Sequence, residues 1–123
     1  MKTAKIISAI LILVMLTACG QKDNRLYCSQ TANGSSGKHW EYKTDQDGIL
    51  KAVDYYESRG FLNFGPGYIQ RWVFEPIEQG EVTINWISYK AGDIVVESEC
   101  YHVIYNVDEN MTVTKIFDSR YSD

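Results

Sequence analysis

The most reactive side chains beyond the N-terminal segment are two cysteines and two histidines: Cys28, Cys100, His39 and His102. A cysteine activated by a neighbouring histidine could act as a nucleophile. Both histidines, however, lie in segments that alternate apolar and polar residues, where a surface or edge histidine is the usual occurrence. The sequence therefore predicts a protein that is not an enzyme and that needs no cofactor.

Metal-binding patterns are incomplete in this chain. Two histidines without an HExxH helix or a carboxylate cluster do not make a zinc site. No CxxC pair suggests a zinc ribbon or a thioredoxin-type site. The segment Asp45–Gly48 is similar to the start of a calcium loop, but no bidentate glutamate follows at the required distance. Acidic turns explain this segment better, and the sequence predicts no metal.

A third cysteine, Cys19, ends a pattern typical of bacterial lipoproteins. Two lysines precede the apolar run Ile6 to Leu16, which is too short to span a bilayer but suits a secretory signal peptide. Small residues lead into the cysteine, as in a lipobox. We expect residues 1–18 to be a signal peptide, Cys19 to carry a lipid anchor and residues 19–24 to form a tether at the bacterial cell envelope, outside the cytoplasm. The alternative is an ordinary signal peptide followed by an incidental cysteine.

The charge balance argues against one large class of partner. Without the two lysines of the expected signal peptide, ten basic and sixteen acidic side chains remain, a net charge of −6. No basic stripe interrupts this excess of negative charge. Nucleic acid is therefore not an expected partner.

Alternating apolar and polar residues, separated by turn sequences, predict one all-β domain over residues 25–123. Ile49–Tyr56 also fits a helical stripe, but we expect a strand there. Seven to eight strands at roughly ten-residue spacing are typical of a β-sandwich or a small barrel. The expected strands are Arg25–Gln30, Trp40–Lys43, Ile49–Tyr56, Tyr68–Glu75, Glu81–Tyr89, Val95–Val107 and Met111–Phe117.

The connections between these strands fall into two kinds. The first, third and fifth are rich in glycine and cover Asn33–Lys38, Gly60–Gly67 and Lys90–Ile94, whereas the others are acidic turns. If successive strands run antiparallel, the three glycine-rich loops lie together at the end opposite Arg25, away from the membrane. Flexible loops on a rigid sandwich are common recognition sites.

The alternation of strand direction along the chain, which we call strand parity, also bears on the two remaining cysteines. Cys28 and Cys100 are each midway along an expected strand, and these two strands run in opposite directions. The two thiols are therefore expected at similar positions along the long axis of the sandwich. In an oxidising compartment we therefore predict a Cys28–Cys100 disulfide. The alternative is a buried Cys28 and a surface thiol at Cys100.

The first glycine-rich loop carries a resemblance to a known family. Chagasin-type inhibitors of papain-like cysteine proteases have the pattern Asn-Pro-Thr-Thr-Gly-Tyr-x-Trp, and the stretch from Asn33 to Trp40 keeps its spacing. The chain resembles this family over residues 26–107, which implies an immunoglobulin-like β-sandwich. The other matching segments are Gly65-Pro66-Gly67, Trp72-Val73-Phe74, Glu78-Gln79-Gly80 and, where the family has Arg-Pro-Trp, Lys90-Ala91-Gly92.

The resemblance implies inhibition by occlusion of a papain-like protease. Three loops would form a wedge in the substrate cleft, with the first loop over the catalytic thiol. The implied protease-binding residues are Asn33, Gly34, Ser35, Ser36, Gly37, Gly65, Pro66, Gly67, Lys90, Ala91 and Gly92.

Several positions depart from the family pattern. Gly34 replaces a proline, serines replace both threonines, Lys38 replaces a tyrosine, and Gly92 stands where the family has an aromatic anchor. The family's N-terminal strand is missing, and residues 111–117 are extra and expected to fill that gap in the sheet. These departures predict a weak inhibitor or a scaffold turned to another partner.

Two other functions fit the same sequence. One is a membrane-tethered extracytoplasmic binding module that recognises a glycan or an envelope protein through the same loops and does not inhibit proteases. The other is an inhibitor of a different hydrolase, such as lysozyme.

Overall fold

The computed structural model describes residues 19–22, 24–59 and 67–121. The expected signal peptide, and Gly65 and Pro66 of the second loop, lie outside the described residues. Within these ranges, two short 3-10 helices accompany the strands, at Glu97–Glu99 and Ser119–Tyr121. The strands of the described residues are β1 (Cys19–Lys22), β2 (Arg25–Asn33), β3 (His39–Thr44), β4 (Leu50–Ser58), β5 (Gly67–Pro76), β6 (Gly80–Lys90), β7 (Ile94–Val95), β8 (Tyr101–Val107) and β9 (Val113–Asp118).

The strands form two antiparallel sheets. The first has the order β1-β2-β5-β4, and the second has the order β3-β6-β8-β9, with the short β7 paired to β6. An A-B-E-D sheet facing a C-F-G sheet is the arrangement of immunoglobulin constant domains. Strands β1 to β6 and β8 follow that arrangement, and β9 adds an edge strand. The predicted all-β, immunoglobulin-like β-sandwich is therefore confirmed.

The core lies between the sheets, and its residues follow from the period-two alternation of the strands. The ring of Trp72 in the first sheet is 4.9 Å from that of Trp86 in the second, so this contact joins the sheets at the centre. The side chains buried around it on β5, β6 and β8 are Phe74, Val82, Ile84, Ser88, Tyr101, Val103, Tyr105 and Val107.

The edge strand β4 bears on the site described below. Its first residue, Leu50, is buried, and the seven residues that follow are exposed. Its register against β5 shifts between Ala52 and Asp54, which marks a bulge. The strand expected in this segment is confirmed, and the helical alternative is wrong. Because β4 has solvent on both of its faces, the sandwich is open along this edge.

Both ends of the domain differ from expectation. Cys19–Lys22 is a strand that pairs with β2 and not a free tether, and the backbone of Cys19 lies opposite Cys28. This pairing satisfies backbone groups on the outer edge of β2 that would otherwise lack partners. β9 pairs with β8 in the second sheet, so it does not fill a gap in the first sheet as expected.

The expected strand Val95–Val107 is interrupted, which changes the position of Cys100. The 3-10 helix Glu97–Glu99 separates β7 from β8, and Cys100 follows that helix with its Sγ 3.4 Å from the carbonyl oxygen of Val96. Cys100 is a free cysteine, whereas Cys28 is buried in β2. The predicted Cys28–Cys100 bridge is wrong because Cys100 belongs to an irregular turn and not to a strand centre.

The C-terminal 3-10 helix is joined to the end of β9 by an ion pair between the exposed Arg120 and the buried Asp118. Arg120 donates to both carboxylate oxygens of Asp118, at 3.0 and 2.7 Å, and its guanidinium lies 3.9 Å from the ring centroid of Tyr101. Burial opposes ionisation of Asp118, but the hydrogen bonds from Arg120 outweigh it and hold the pKa of Asp118 below its ordinary value.

Candidate functional site

The described residues of the three glycine-rich segments meet at one end of the domain. Asn33, at the end of β2, lies opposite Gly67, at the start of β5. The amide of Ala91 donates to the carbonyl oxygen of Ser36 at 3.2 Å, which joins the first loop to the third. We call this surface the three-loop end; its described residues are Asn33–Lys38, Gly67 and Lys90–Asp93. Among these residues, the structure brings together the predicted contact positions of all three loops.

The acidic turns lie at the other end of the domain, as strand parity predicted. The amide of Ile77 donates to the carbonyl oxygen of Ile49 at 2.9 Å, and Gly80 directly faces the Ile49 side chain. Gly34 and Gly80 are therefore at opposite ends of the sandwich. Arg25, whose guanidinium is 4.0 Å from Glu75, starts β2 away from the three-loop end.

The first loop has a defined conformation despite its small residues. The side-chain Oδ1 of Asn33 accepts hydrogen bonds from the amides of Ser35 and Ser36, at 3.0 and 3.3 Å. The amide of Asn33 also donates to the carbonyl oxygen of Lys38 at 2.9 Å, which closes the loop at its base. An asparagine turn of this kind restricts the backbone locally. It supplies part of the rigidity that the proline of the resembled pattern would give at Gly34.

Gly37 is the point of closest approach between the first and third loops. Its φ is 71°, in the left-handed region that favours glycine. A Cβ atom at this position would lie 2.7 Å from Cα of Ala91. Both the backbone conformation and the close contact therefore require glycine here.

A charged network connects the first loop to the 3-10 helix before β8. Lys38 Nζ lies 3.0 Å from the carboxylate of Glu99, and the hydroxyl of buried Ser88 donates to the same oxygen at 2.6 Å. The hydrogen bond from Ser88, and then that from Lys38, lower the pKa of Glu99 below its ordinary value. The Glu99 side chain is 40% exposed, so solvent screens this network and its contribution to stability is modest.

This network predicts a specific loss of stability in acid. The pKa of Glu99 is lower in the folded than in the unfolded chain. The stabilisation of the fold by ionised Glu99 is therefore fully present above the unfolded pKa of about 4.3, and it is lost as pH falls through the pKa of the folded chain. We expect the Glu99→Gln variant to lose less stability between neutral and acid pH than the unchanged chain, measured by urea unfolding at each pH. The control is Glu97→Gln, an exposed residue of the same 3-10 helix. If the two variants show the same pH dependence, Glu99 does not carry this effect.

The two histidines have structural contacts in the described residues. His39 stacks on Tyr89, with ring centroids 5.1 Å apart, and its Nδ1–H donates to the carbonyl oxygen of Gly37 at 2.9 Å. His102 lies beside the ring of Phe117, at 5.5 Å. His39 thus supports the base of the first loop. Within the described ranges, no group of three His, Cys, Asp or Glu side chains could hold a metal ion.

A second candidate site lies along the open edge between the two sheets. It is a cleft of about 430 Å³ bounded by β3, β4 and the adjoining part of β5, and we call it the edge cleft. His39 and Tyr68 bring its upper end next to the three-loop end. The residues that line it are His39, Trp40, Glu41, Tyr42, Tyr55, Glu57, Tyr68, Gln70 and Trp72.

Gln70 organises the floor of the edge cleft. Its Oε1 accepts from the amide of Trp40 at 2.7 Å, and its Nε2 donates to the carbonyl oxygen of Trp40 at 3.2 Å and to the hydroxyl of Tyr55 at 2.9 Å. One buried amide therefore bonds the free backbone edge of β3 to the opposite sheet. This arrangement keeps the two sheets in register where the sandwich is open.

Tyr55 extends this hydrogen-bond chain across the cleft to charged residues. Its hydroxyl donates to Glu57 at 2.8 Å, and Arg59 donates to the other Glu57 oxygen at 2.9 Å. Burial raises the pKa of the Tyr55 hydroxyl. Tyr55 as a residue is 43% exposed, and its ring centroid lies 5.1 Å from that of Trp72.

The sequence predicted the three-loop end but not the edge cleft. Gln70 was visible as a polar residue within the aromatic pattern of β5, and a buried amide in such a strand signals a specific hydrogen-bond partner. Its partner Trp40, however, belongs to the other sheet. The spacing of residues along one strand carries no information about which strand faces it.

No protein-family model, no curated protein and no solved structure matches this chain. In the part of the chain that the structure describes, no helix is long and apolar enough to cross a membrane. The fold and its two candidate surfaces are therefore what bears on function.

Proposed function

We propose that this chain inhibits papain-like cysteine proteases by placing its three-loop end in the substrate cleft of the enzyme. The observation that supports this most strongly is that the described residues of three glycine-rich segments lie together at one end of an immunoglobulin-like sandwich. The first loop is exposed at Gly34, Ser35 and Ser36. Small side chains there allow the backbone of a protease to approach closely.

Occlusion also fits the chemistry of this end. Its residues offer hydrogen-bonding groups and small side chains, and the first loop is held by Asn33 and by contact with Ala91. A loop held in a fixed shape binds with a smaller entropy loss than a free one. The proposed mechanism needs no covalent step, because the loop blocks access to the catalytic thiol.

The third loop limits the expected affinity. Gly92 offers no side chain where the resembled pattern has a tryptophan, and loss of an interface tryptophan typically costs on the order of 2 kcal/mol or more. Each 1.4 kcal/mol corresponds to about tenfold in affinity. We therefore expect reversible inhibition that is weak for a protease inhibitor.

The deciding experiment measures the activity of papain in the presence of the chain from Cys19 to Asp123. The proposal predicts competitive inhibition, and an inhibitor that remains uncleaved after long incubation. Ser36→Trp should weaken inhibition because a large side chain at the loop tip cannot enter the cleft. Gln79→Trp places the same bulk in the turn at the opposite end and should leave inhibition unchanged.

Full papain activity at high micromolar concentrations of the chain would overturn the inhibitor proposal. That outcome would favour the alternative function, an extracytoplasmic binding module that uses the same scaffold and does not inhibit proteases. Inhibition that is equally reduced by Ser36→Trp and Gln79→Trp would also count against the three-loop end.

We also propose that Cys19 is lipidated and tethers the domain to the bacterial cell envelope. Lipidation forms a thioether at the cysteine sulfur, and the acyl chains would then insert into the membrane. Because β1 folds back along β2, the backbone of Cys19 lies opposite Cys28, part of the way along β2, and not at the end of the domain where β2 begins. The side of the domain that carries β1 would therefore approach the membrane.

Expression in a bacterial host tests the anchor directly. We expect mass spectrometry of the membrane fraction to show a diacylated or triacylated N-terminus at Cys19. Cys19→Ala should yield a soluble or an uncleaved protein. An unmodified N-terminus at any other residue would contradict the proposal.

A further inference from the structure

We propose that the edge cleft is a binding site for an organic cation, a small ammonium or guanidinium group. This site is separate from the proposed protease contact, and nothing in the inhibitory mechanism requires it. Its volume of about 430 Å³ falls in the range of pockets that hold small ligands. The ligand class follows from three properties of the cleft: its aromatic walls, its charge and its internal hydrogen bonds.

Aromatic rings form most of the wall of the edge cleft. The faces of such rings carry negative electrostatic potential, and a cation within about 6 Å of a ring centroid is attracted to them. Tyr55 is the most exposed of these rings, and it lies against Trp72. The aromatic residues of the wall are Trp40, Tyr42, Tyr55, Tyr68 and Trp72.

The charge of the cleft selects the same ligand class. Glu41 and Glu57 line it, and none of its described lining residues is a lysine or an arginine. Carboxylates beside aromatic faces attract a cation and disfavour an anion. The cleft is therefore complementary to positive charge.

Two cations of the chain already bind the rims of the cleft in this manner. The guanidinium of Arg59 lies 4.1 Å from the ring centroid of Tyr68 while it bonds to Glu57 at 2.9 Å. The Nζ of Lys38 lies 5.7 Å from the ring centroid of Trp40. In the open part of the cleft, Tyr55 presents a further aromatic ring to solvent, and Glu41 lines the same cleft.

The internal hydrogen bonds disfavour a neutral polyhydroxylated ligand such as a sugar. Both N–H groups of the Gln70 amide are used, one by Trp40 and one by Tyr55, and the Tyr55 hydroxyl donates to Glu57. Few donors at the floor of the cleft remain for hydroxyl oxygens of a ligand. Recognition there depends on ring faces and charge.

Titration with choline, followed by proton–nitrogen correlation spectroscopy of the chain from Cys19 to Asp123, tests the proposal. Its matched neutral probe is 3,3-dimethylbutan-1-ol, which has the same shape without the charge. We expect choline to shift the indole N–H signals of Trp40 and Trp72 saturably, with the neutral alcohol at least about tenfold weaker. The backbone amide of Val107 lies opposite Gly80, at the end of the sandwich away from the cleft, so its signal is an internal reference.

Three variants locate the site. Glu57→Gln keeps the shape and removes a charge, and Tyr55→Ala removes the exposed ring. Each should weaken choline binding several-fold while the amide signal of Val107 stays at its folded position. Tyr56→Ala, at an exposed neighbour on the other face of β4, should leave binding unchanged. Equal binding of choline and the alcohol, no saturable shift, or equal effects of Tyr55→Ala and Tyr56→Ala would each overturn the proposal. Papain inhibition is measured separately, so failure of one proposal leaves the other intact.

Discussion

Replacement of Gln70 by methionine is expected to destabilise the domain by about 2–4 kcal/mol, although methionine has a similar volume and is apolar. The variant would leave the buried amide and carbonyl of Trp40 without their side-chain partner, and it would remove one hydrogen bond to Tyr55. Each buried polar group that loses its partner costs about 1–3 kcal/mol. Urea unfolding followed by tryptophan fluorescence measures the change as a shift in midpoint at constant slope.

Gln30 provides a matched control for this prediction. It is also buried, it lies opposite Gln70 in the register of β2 and β5, and its side chain donates to the hydroxyl of Tyr101. Gln30→Met interrupts that single bond and should cost about 1 kcal/mol. Equal losses in the two variants would mean that burial of a glutamine, and not its bonding to the β3 backbone, determines the effect.

The strand framework was largely accessible from the sequence because burial on one face imposes a period of two. Val82, Ile84 and Trp86 alternate with polar residues, and all three are fully buried on β6. Strand parity then placed the glycine-rich loops together without any three-dimensional information. β1 was missed because four residues, CGQK, carry no apolar alternation, and their pairing depends on the free edge of β2.

The errors about Cys100 and the edge cleft have a common physical cause. The segment before β8 was expected to continue as a strand. Instead, the side chain of Glu99 bonds to Ser88 and Lys38, both of which are far from it in the sequence. In the same way, Gln70 bonds to Trp40 across the gap between the sheets. Side-chain hydrogen bonds between distant segments are not encoded in local periodicity, and both features depend on them.

The two candidate surfaces are adjacent and share structural elements. His39 supports the first loop through the carbonyl oxygen of Gly37, and it also lines the edge cleft. Lys38 contacts the ring of Trp40 and bonds to Glu99. A change in the cleft therefore has a short path to the first loop through β3, so inhibition should be measured for every cleft variant.

Gly37→Ala is expected to weaken inhibition of papain by tenfold or more while the domain stays folded. The new Cβ would lie 2.7 Å from Cα of Ala91, a backbone atom that can move only if the third loop moves. Alanine at a φ of 71° also adds roughly 1–2 kcal/mol of backbone strain. The first and third loops would move apart. If they move by about 1 Å, the three-loop end no longer has good shape complementarity to the substrate cleft of the protease.

Gly48→Ala is the control, because the nearest neighbour of its Cβ would be a carboxylate oxygen of Glu78 at 3.6 Å, an ordinary contact, in the acidic turns at the opposite end. It should leave both folding and inhibition unchanged. A second readout is independent of any protease: hydrogen exchange at the amide of Ala91, which bonds to Ser36, should accelerate in Gly37→Ala alone. Faster exchange with undiminished inhibition would show that the spacing of the two loops does not matter for binding. Unchanged exchange would mean that the loops accommodate the methyl group without separating, and the close approach at Gly37 would then be a packing feature of the fold.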